Sequence, residues 1–145
     1  MATRDGSATW EGDLENGSGR LVVGEGAWEG DYSAQSRFEE GPGTNPEELL
    51  AAAHAACYSM ALSNDLAQHG HEPRSVRTRA RVQLRNVDGA PTIASIELET
   101  EGDVEGIDAQ HFAEHAEGAK QNCPVSRALA AVAEISVSPS LSQGG

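Results

Sequence analysis

From Val76 to Glu101 apolar and charged positions alternate. Val76, Thr78, Ala80, Val82 and Leu84 interleave with Arg77, Arg79, Arg81 and Arg85. After Asp88-Gly89, a turn signal, Ala94, Ile96, Leu98 and Thr100 interleave with Glu97, Glu99 and Glu101. A period of two predicts half-buried strands, and the turn joins them as a hairpin. An arginine row then faces a glutamate row as cross-strand charge pairs, so the arginines do not form a nucleic-acid stripe.

A different pattern precedes the hairpin. Gly41-Pro42-Gly43-Thr44-Asn45-Pro46 stops the preceding structure, Asn45 is suited to cap a helix and Pro46 to open it, and Glu47 and Glu48 complement the positive end of its dipole. The helix is predicted to run to about Gln68 and to close at Gly70. Leu49, Leu50, Ala52, Ala53, Ala56, Cys57, Met60 and Ala61 wrap most of its circumference, the mark of a buried helix. Upstream, Thr9-Trp10, Arg20 to Val23 and Trp28 to Phe38 read as strands separated by glycine-rich turns. Downstream, Asp108 is expected to cap a second helix to about Gln121, which Asn122-Cys123-Pro124 interrupts. Val125 to Val132 reads as a further helical segment, Ile135 to Val137 as a last strand, and the tail from Pro139 as frayed. Strands, a long helix, a hairpin and then helices predict an α+β fold in a single domain spanning residues 1–145.

Composition adds constraints. Hydrophobic residues make up 38% and aromatic ones 4%, so the core is mainly aliphatic and thin, and a partner subunit can bury what one chain cannot. The net charge is −13, and Lys120 is the one lysine among ten basic residues. This balance argues against nucleic acids and anionic membrane surfaces as partners, since both require clustered cations. A polar N-terminal stretch without an apolar signal core, and no apolar run of the ~20 residues that span a bilayer, lead us to expect a cytoplasmic protein. In such a compartment two cysteines are not a permanent structural disulfide.

Cys57 lies in mid-helix among alanines, where burial raises a thiol pKa unless a cation stands by. Cys123 precedes Pro124 at a helix start, where backbone N–H groups favour a thiolate. On these grounds Cys123 is the easier thiolate and Cys57 the more sheltered thiol. Two such thiols suit peroxide reduction, in which one is oxidised to a sulfenic acid and the other condenses with it to a disulfide; the residues alone leave the order open. His54, one turn before Cys57, raises a Cys–His pair or a zinc site of His54, Cys57 and Cys123, but a fourth ligand is not evident and a buried, hydrogen-bonded ring is the expectation. His69 and His71 flank Gly70 at the helix end, where their charge complements the dipole.

Arg37-Phe38-Glu39, Gly43-Thr44-Asn45-Pro46-Glu47-Glu48-Leu49-Leu50 and Ala53-His54-Ala55-Ala56-Cys57-Tyr58-Ser59-Met60-Ala61-Leu62 resemble the signature of the OsmC/Ohr family, and Asn122-Cys123-Pro124-Val125-Ser126 resembles its second cysteine motif, 66 positions after Cys57. Ala8-Thr9-Trp10-Glu11-Gly12 and Gly106-Ile107-Asp108 are closer to the OsmC branch, and the similarity runs from Ala8 to Val137. The resemblance implies an OsmC-like fold in an intertwined homodimer, with active sites at the subunit interface. It implies an antioxidant peroxidase of the oxidative stress response that reduces organic hydroperoxides and, to some extent, hydrogen peroxide. By motif position Cys57 is the peroxidatic cysteine and Cys123 the resolving one, joined in a redox-active disulfide. Arg37 and Glu47 activate the thiolate, with Arg20 the alternative arginine. The reductant implied is a dithiol of the lipoyl type, or thioredoxin, and no organic cofactor or metal is called for. Phe38, Tyr58 and Met60 are candidate walls of an apolar pocket. A redox or hydroperoxide sensor is a second reading, weakened by the lack of a visible DNA-binding element. A non-enzymatic small-molecule binding module is a third, and both cysteines count against it.

Overall fold

The computed structural model describes residues 2–142. They fall into two compact units, one up to Leu49 and one from Leu50. The first is an antiparallel meander of β1 (Gly6–Glu11), β2 (Ser18–Val23) and β3 (Trp28–Tyr32), followed by a short helix, α1 (Ala34–Phe38). The third strand was expected to reach Phe38 but ends at Tyr32. Ser33 caps α1, and Ser33 and Ser36 each accept a hydrogen bond from the other's backbone N–H. This reciprocal box turns the chain into a helix before the strand can continue, and it places Arg37 on that helix.

Helix α2 (Pro46–Gln68) starts in the first unit and continues through the second. The Asn45 side chain accepts a hydrogen bond from Glu48 N at 2.8 Å, the expected cap. After Gln68 the chain leaves the helix at Gly70, whose φ of +85° only a residue without a β-carbon adopts readily. His54, Tyr58, Leu62 and Leu66, spaced four apart, form its buried stripe. The helix is not buried all round within one chain: Ala52, Ala53 and Ala56 are exposed and Met60 is 75% exposed. Among the described residues nothing covers that apolar face.

The second unit continues with β4 (Ser75–Val87), β5 (Ala90–Asp103), α3 (Ala109–Asn122), α4 (Pro124–Ala128) and β6 (Glu134–Leu141). The sheet order is β4-β5-β6, with β6 parallel to β5. The predicted hairpin is present, with the arginine row facing the glutamate row: Arg77, Arg79 and Arg81 lie opposite Glu101, Glu99 and Glu97, and Arg81 reaches both Glu97 and Glu99 at 3.9 Å. The alternation breaks at Gln83–Leu84, where the register slips past Ala94; Ala94, Ser95 and Ile96 are all buried there. The opposite face carries Ile96, Leu98 and Thr100, which lie beside Ile135, Val137 and Pro139 of β6. Ile96 and Leu98 share the core with Tyr58, Leu62 and Leu66 of α2 and Phe112, Ala116 and Ala119 of α3.

Two boundaries differ from expectation. Helix α4 ends at Ala128 rather than Val132, because β6 pairs from Glu134 with Ser95 and the chain must turn to reach it. The strand continues through Pro139 to Leu141 instead of fraying there. It lies at the sheet edge, where a residue without an N–H is tolerated. The rest of the predicted tail, residues 143–145, lies outside the described residues.

Gly102 of β5 is buried against α3. A β-carbon there would stand 2.5 Å from Phe112 Cε1 and 2.6 Å from Cζ, and the Phe112 ring, 1% exposed, has no room to retreat. Gly102→Ala is expected to lower the unfolding free energy by about 1–3 kcal/mol, measured by urea denaturation.

Candidate active site

Cys57 projects from the middle of α2 and Cys123 occupies the joint between α3 and α4, closing the first helix and opening the second. Both are free thiols, and they are neighbours: Cys57 packs against the core cluster that holds Cys123, and Cys123 is close enough to act on its pKa. Their exposure is the reverse of the expectation, since Cys123 is fully buried and Cys57 half-buried. The joint explains this. Pro124 starts α4 directly after α3, which tucks Cys123 into the core beside Tyr58, Phe112 and Ala119.

Burial pushes the Cys57 thiol above its ordinary pKa, and Cys123 adds to the rise. The backbone N–H of Val125, in the first turn of α4, works against that rise. The helix start after Cys123 thus directs a donor at Cys57, where the sequence had pointed to Cys123 as the beneficiary.

Two buried hydrogen bonds flank the pair. Tyr58 donates its hydroxyl to Ala116 O at 2.7 Å, and burial pushes its pKa well above that of an ordinary phenol. His54, fully buried, places Nε2 2.6 Å from Ser126 Oγ, the hydrogen-bonded ring expected of it. Its Nδ1 is buried with no hydrogen-bond partner among the described residues. His54, Cys57 and Cys123 do not converge as a set of metal ligands among the described residues. Ser126 belongs to the second cysteine motif, and only the fold reveals its contact with His54, 72 residues away. Tyr58 is interior and cannot line a pocket.

In the first unit Arg37 donates Nε to Glu47 Oε1 at 2.8 Å. Glu47 is buried, and its Oε2 has no partner among the described residues. Arg37 is 38% exposed, lies 5.3 Å over the Phe38 ring, and has both Nη groups free of hydrogen bonds among the described residues. It lines a mainly apolar cleft of about 280 Å³ with Trp10, Leu14, Tyr32, Ala34 and Phe38. Arg20, the alternative arginine, is instead held on the surface by Glu29 at 2.9 Å and Asp31 at 2.8 Å. Met60 is 75% exposed and lines a different surface groove with Ser59, Ser63 and Asn64.

The family of OsmC-like proteins matches residues 39–138. A relative from Escherichia coli strain K12, Peroxiredoxin OsmC, is 46% identical over 129 residues, covering 88% of this chain and 90% of the relative. The chain belongs to the OsmC-like family. Peroxiredoxin OsmC of Shigella flexneri matches to the same extent. Among solved structures, an OsmC-like protein of Mycoplasma pneumoniae aligns with a TM-score of 0.74 at 17% identity, over 97% of each chain. The organic hydroperoxide resistance protein OhrB of Bacillus subtilis aligns with a TM-score of 0.68 at 24% identity, over 95% of this chain and 98% of its own. The α+β architecture is therefore the OsmC-like fold. Among the described residues no helix is long and apolar enough to cross a membrane.

His54 sits in this OsmC-like core with its pKa lowered by burial. Above the ordinary histidine value of about 6.5 the ring is neutral in both folded and unfolded chains. Below it the unfolded chain takes up a proton that the folded one resists, so stability falls as pH drops. Urea unfolding at stepped pH is expected to show this loss in the wild type. His54→Gln is expected to remove up to about 1.4 kcal/mol per pH unit of that slope.

Proposed function

We propose that the chain is a thiol-dependent peroxidase that reduces organic hydroperoxides, and hydrogen peroxide less specifically, as a homodimer. The observation that carries the reading is the meeting of two free thiols, Cys57 and Cys123, brought from separate helices. The Cys57 thiolate attacks one peroxide oxygen, the O–O bond breaks, and the alcohol leaves after taking a proton; Cys57 becomes a sulfenic acid. The Cys123 thiol then attacks that sulfur, forming the Cys57–Cys123 disulfide and releasing water. A dithiol reductant, lipoyl-type or thioredoxin, restores both thiols by exchange. The relatives' name, Peroxiredoxin OsmC, supports peroxide as the substrate.

A thiol raised by burial needs a cation to become a thiolate at neutral pH. Arg37 suits this role, because Glu47 holds it by Nε and leaves its fork of Nη donors free for a thiolate and for charge on the leaving oxygen. The family resemblance puts the active site at a subunit interface, so the proposal takes the arginine from the partner of a homodimer. The exposed apolar face of Ala52, Ala53, Ala56 and Met60 is the surface such a partner would cover. The apolar cleft beside Arg37 suits an alkyl chain.

Steady-state reduction of cumene hydroperoxide with dihydrolipoamide tests the assignment. Arg37→Ala is expected to cut turnover by about 10²–10³ with the fold intact by circular dichroism, and to move the pH–rate profile upward as the thiol loses its cation. Glu47→Gln, which still accepts from Arg37, should lose less. Unchanged turnover in Arg37→Ala would remove the arginine from the mechanism.

A further inference from the structure

The C-terminal end of α2 carries a cluster that the thiol chemistry does not use. Asp65 Oδ2 lies 2.5 Å from His115 Nδ1 of α3, and Asp65 Oδ1 lies 3.5 Å from His69 Nδ1. The same His69 nitrogen is 2.8 Å from the backbone oxygen of Asp65. The ring centroids of His69 and His115 are 5.0 Å apart, and those of His71 and His115 6.4 Å. One ligand atom from each of Asp65, His69 and His115 lies within 4.8 Å of the others. From the sequence His69 and His71 need no role beyond complementing the helix dipole; the fold brings His115 of α3 to Asp65, which lies one turn before His69.

We propose that Asp65, His69 and His115 form a binding site for a divalent transition-metal ion of the Zn²⁺ class. Two imidazoles and one carboxylate are a donor set such ions favour, and a set of three leaves a position for water. Tetrahedral ligand atoms around Zn²⁺ stand roughly 3.3 Å apart, given bonds of about 2.0–2.2 Å. Rotation of two side chains brings the three donors to that spacing: His69 is 59% exposed and Asp65 37%, so both are free to adjust, while His115, 18% exposed, is the fixed member. A metal bound through His115 Nδ1 takes the place of the Asp65–His115 hydrogen bond. The negative end of the α2 dipole and the net charge of −13 both favour a cation here. Fixing α2 to α3 in this way is independent of the peroxidase reading.

The experiment is Zn²⁺ titration against a chromophoric chelator, paired with Co²⁺ absorption, on the reduced protein. Wild type is expected to bind one ion per chain with micromolar affinity or better, and the Co²⁺ complex to lack the near-ultraviolet band of thiolate ligation. Asp65→Asn and His69→Ala, both at adjustable and largely solvated positions, should weaken binding by at least about tenfold without loss of fold. The Cys57→Ser, Cys123→Ser double variant should bind like wild type. Absence of stoichiometric binding, undiminished affinity in both Asp65→Asn and His69→Ala, or loss of binding in the double cysteine variant would each overturn the site.

Discussion

The docking of α2 onto the joint between α3 and α4 is the contact on which the rest of the candidate site depends. Tyr58 reaches Ala116 O and His54 reaches Ser126 Oγ, at 2.7 and 2.6 Å. Four residues apart on one face of α2, the two side chains bind different sides of the joint, and Cys57 and Cys123 lie between them. A buried hydrogen bond adds modest net stability, but breaking one leaves a polar atom stranded at a cost of about 1–3 kcal/mol. The two contacts therefore fix the position of α2 against the joint more than they raise overall stability. Thiols held in this way can meet repeatedly without a permanent bond.

Burial and charge pull the chemistry in opposite directions. The core that brings the thiols together raises the pKa of Cys57, and the Val125 N–H offsets only part of that rise. In the first unit a guanidinium is held by a buried carboxylate with its Nη donors unpaired among the described residues. Each unit carries what the other lacks, a buried thiol pair in one and a positioned cation beside an apolar cleft in the other. The proposed dimer joins them across two chains, and the uncovered alanine face of α2 gives that dimer a physical cause.

Much of this was legible in the sequence where local rules agree. The arginine and glutamate rows gave the hairpin and its facing charges, Asn45 and Pro46 the start of the long helix, and Asp108 the next one, whose cap accepts from His111 N at 2.8 Å. The errors came where a local signal competed with tertiary contacts. Trp28 to Phe38 looks extended until Ser33 and Ser36 cap a helix that five residues suffice to form. Pro139 reads as a stop unless the strand lies at a sheet edge, which depends on the parallel pairing of β6 with β5. Relative exposure of the cysteines was likewise unreadable, since helix position says nothing of what packs over Cys123. The Asp65–His115 contact joins residues 50 apart on different helices, beyond any spacing rule.

The central claim is that Cys57 and Cys123 act as one redox pair, and intact-mass thiol counting after one equivalent of cumene hydroperoxide tests it most directly. The account predicts that wild type loses two thiols as an intramolecular disulfide, that Cys123→Ser accumulates a sulfenic acid on Cys57, and that Cys57→Ser does not react. Survival of both thiols in the wild type, or oxidation of Cys57→Ser at the wild-type rate, would contradict it.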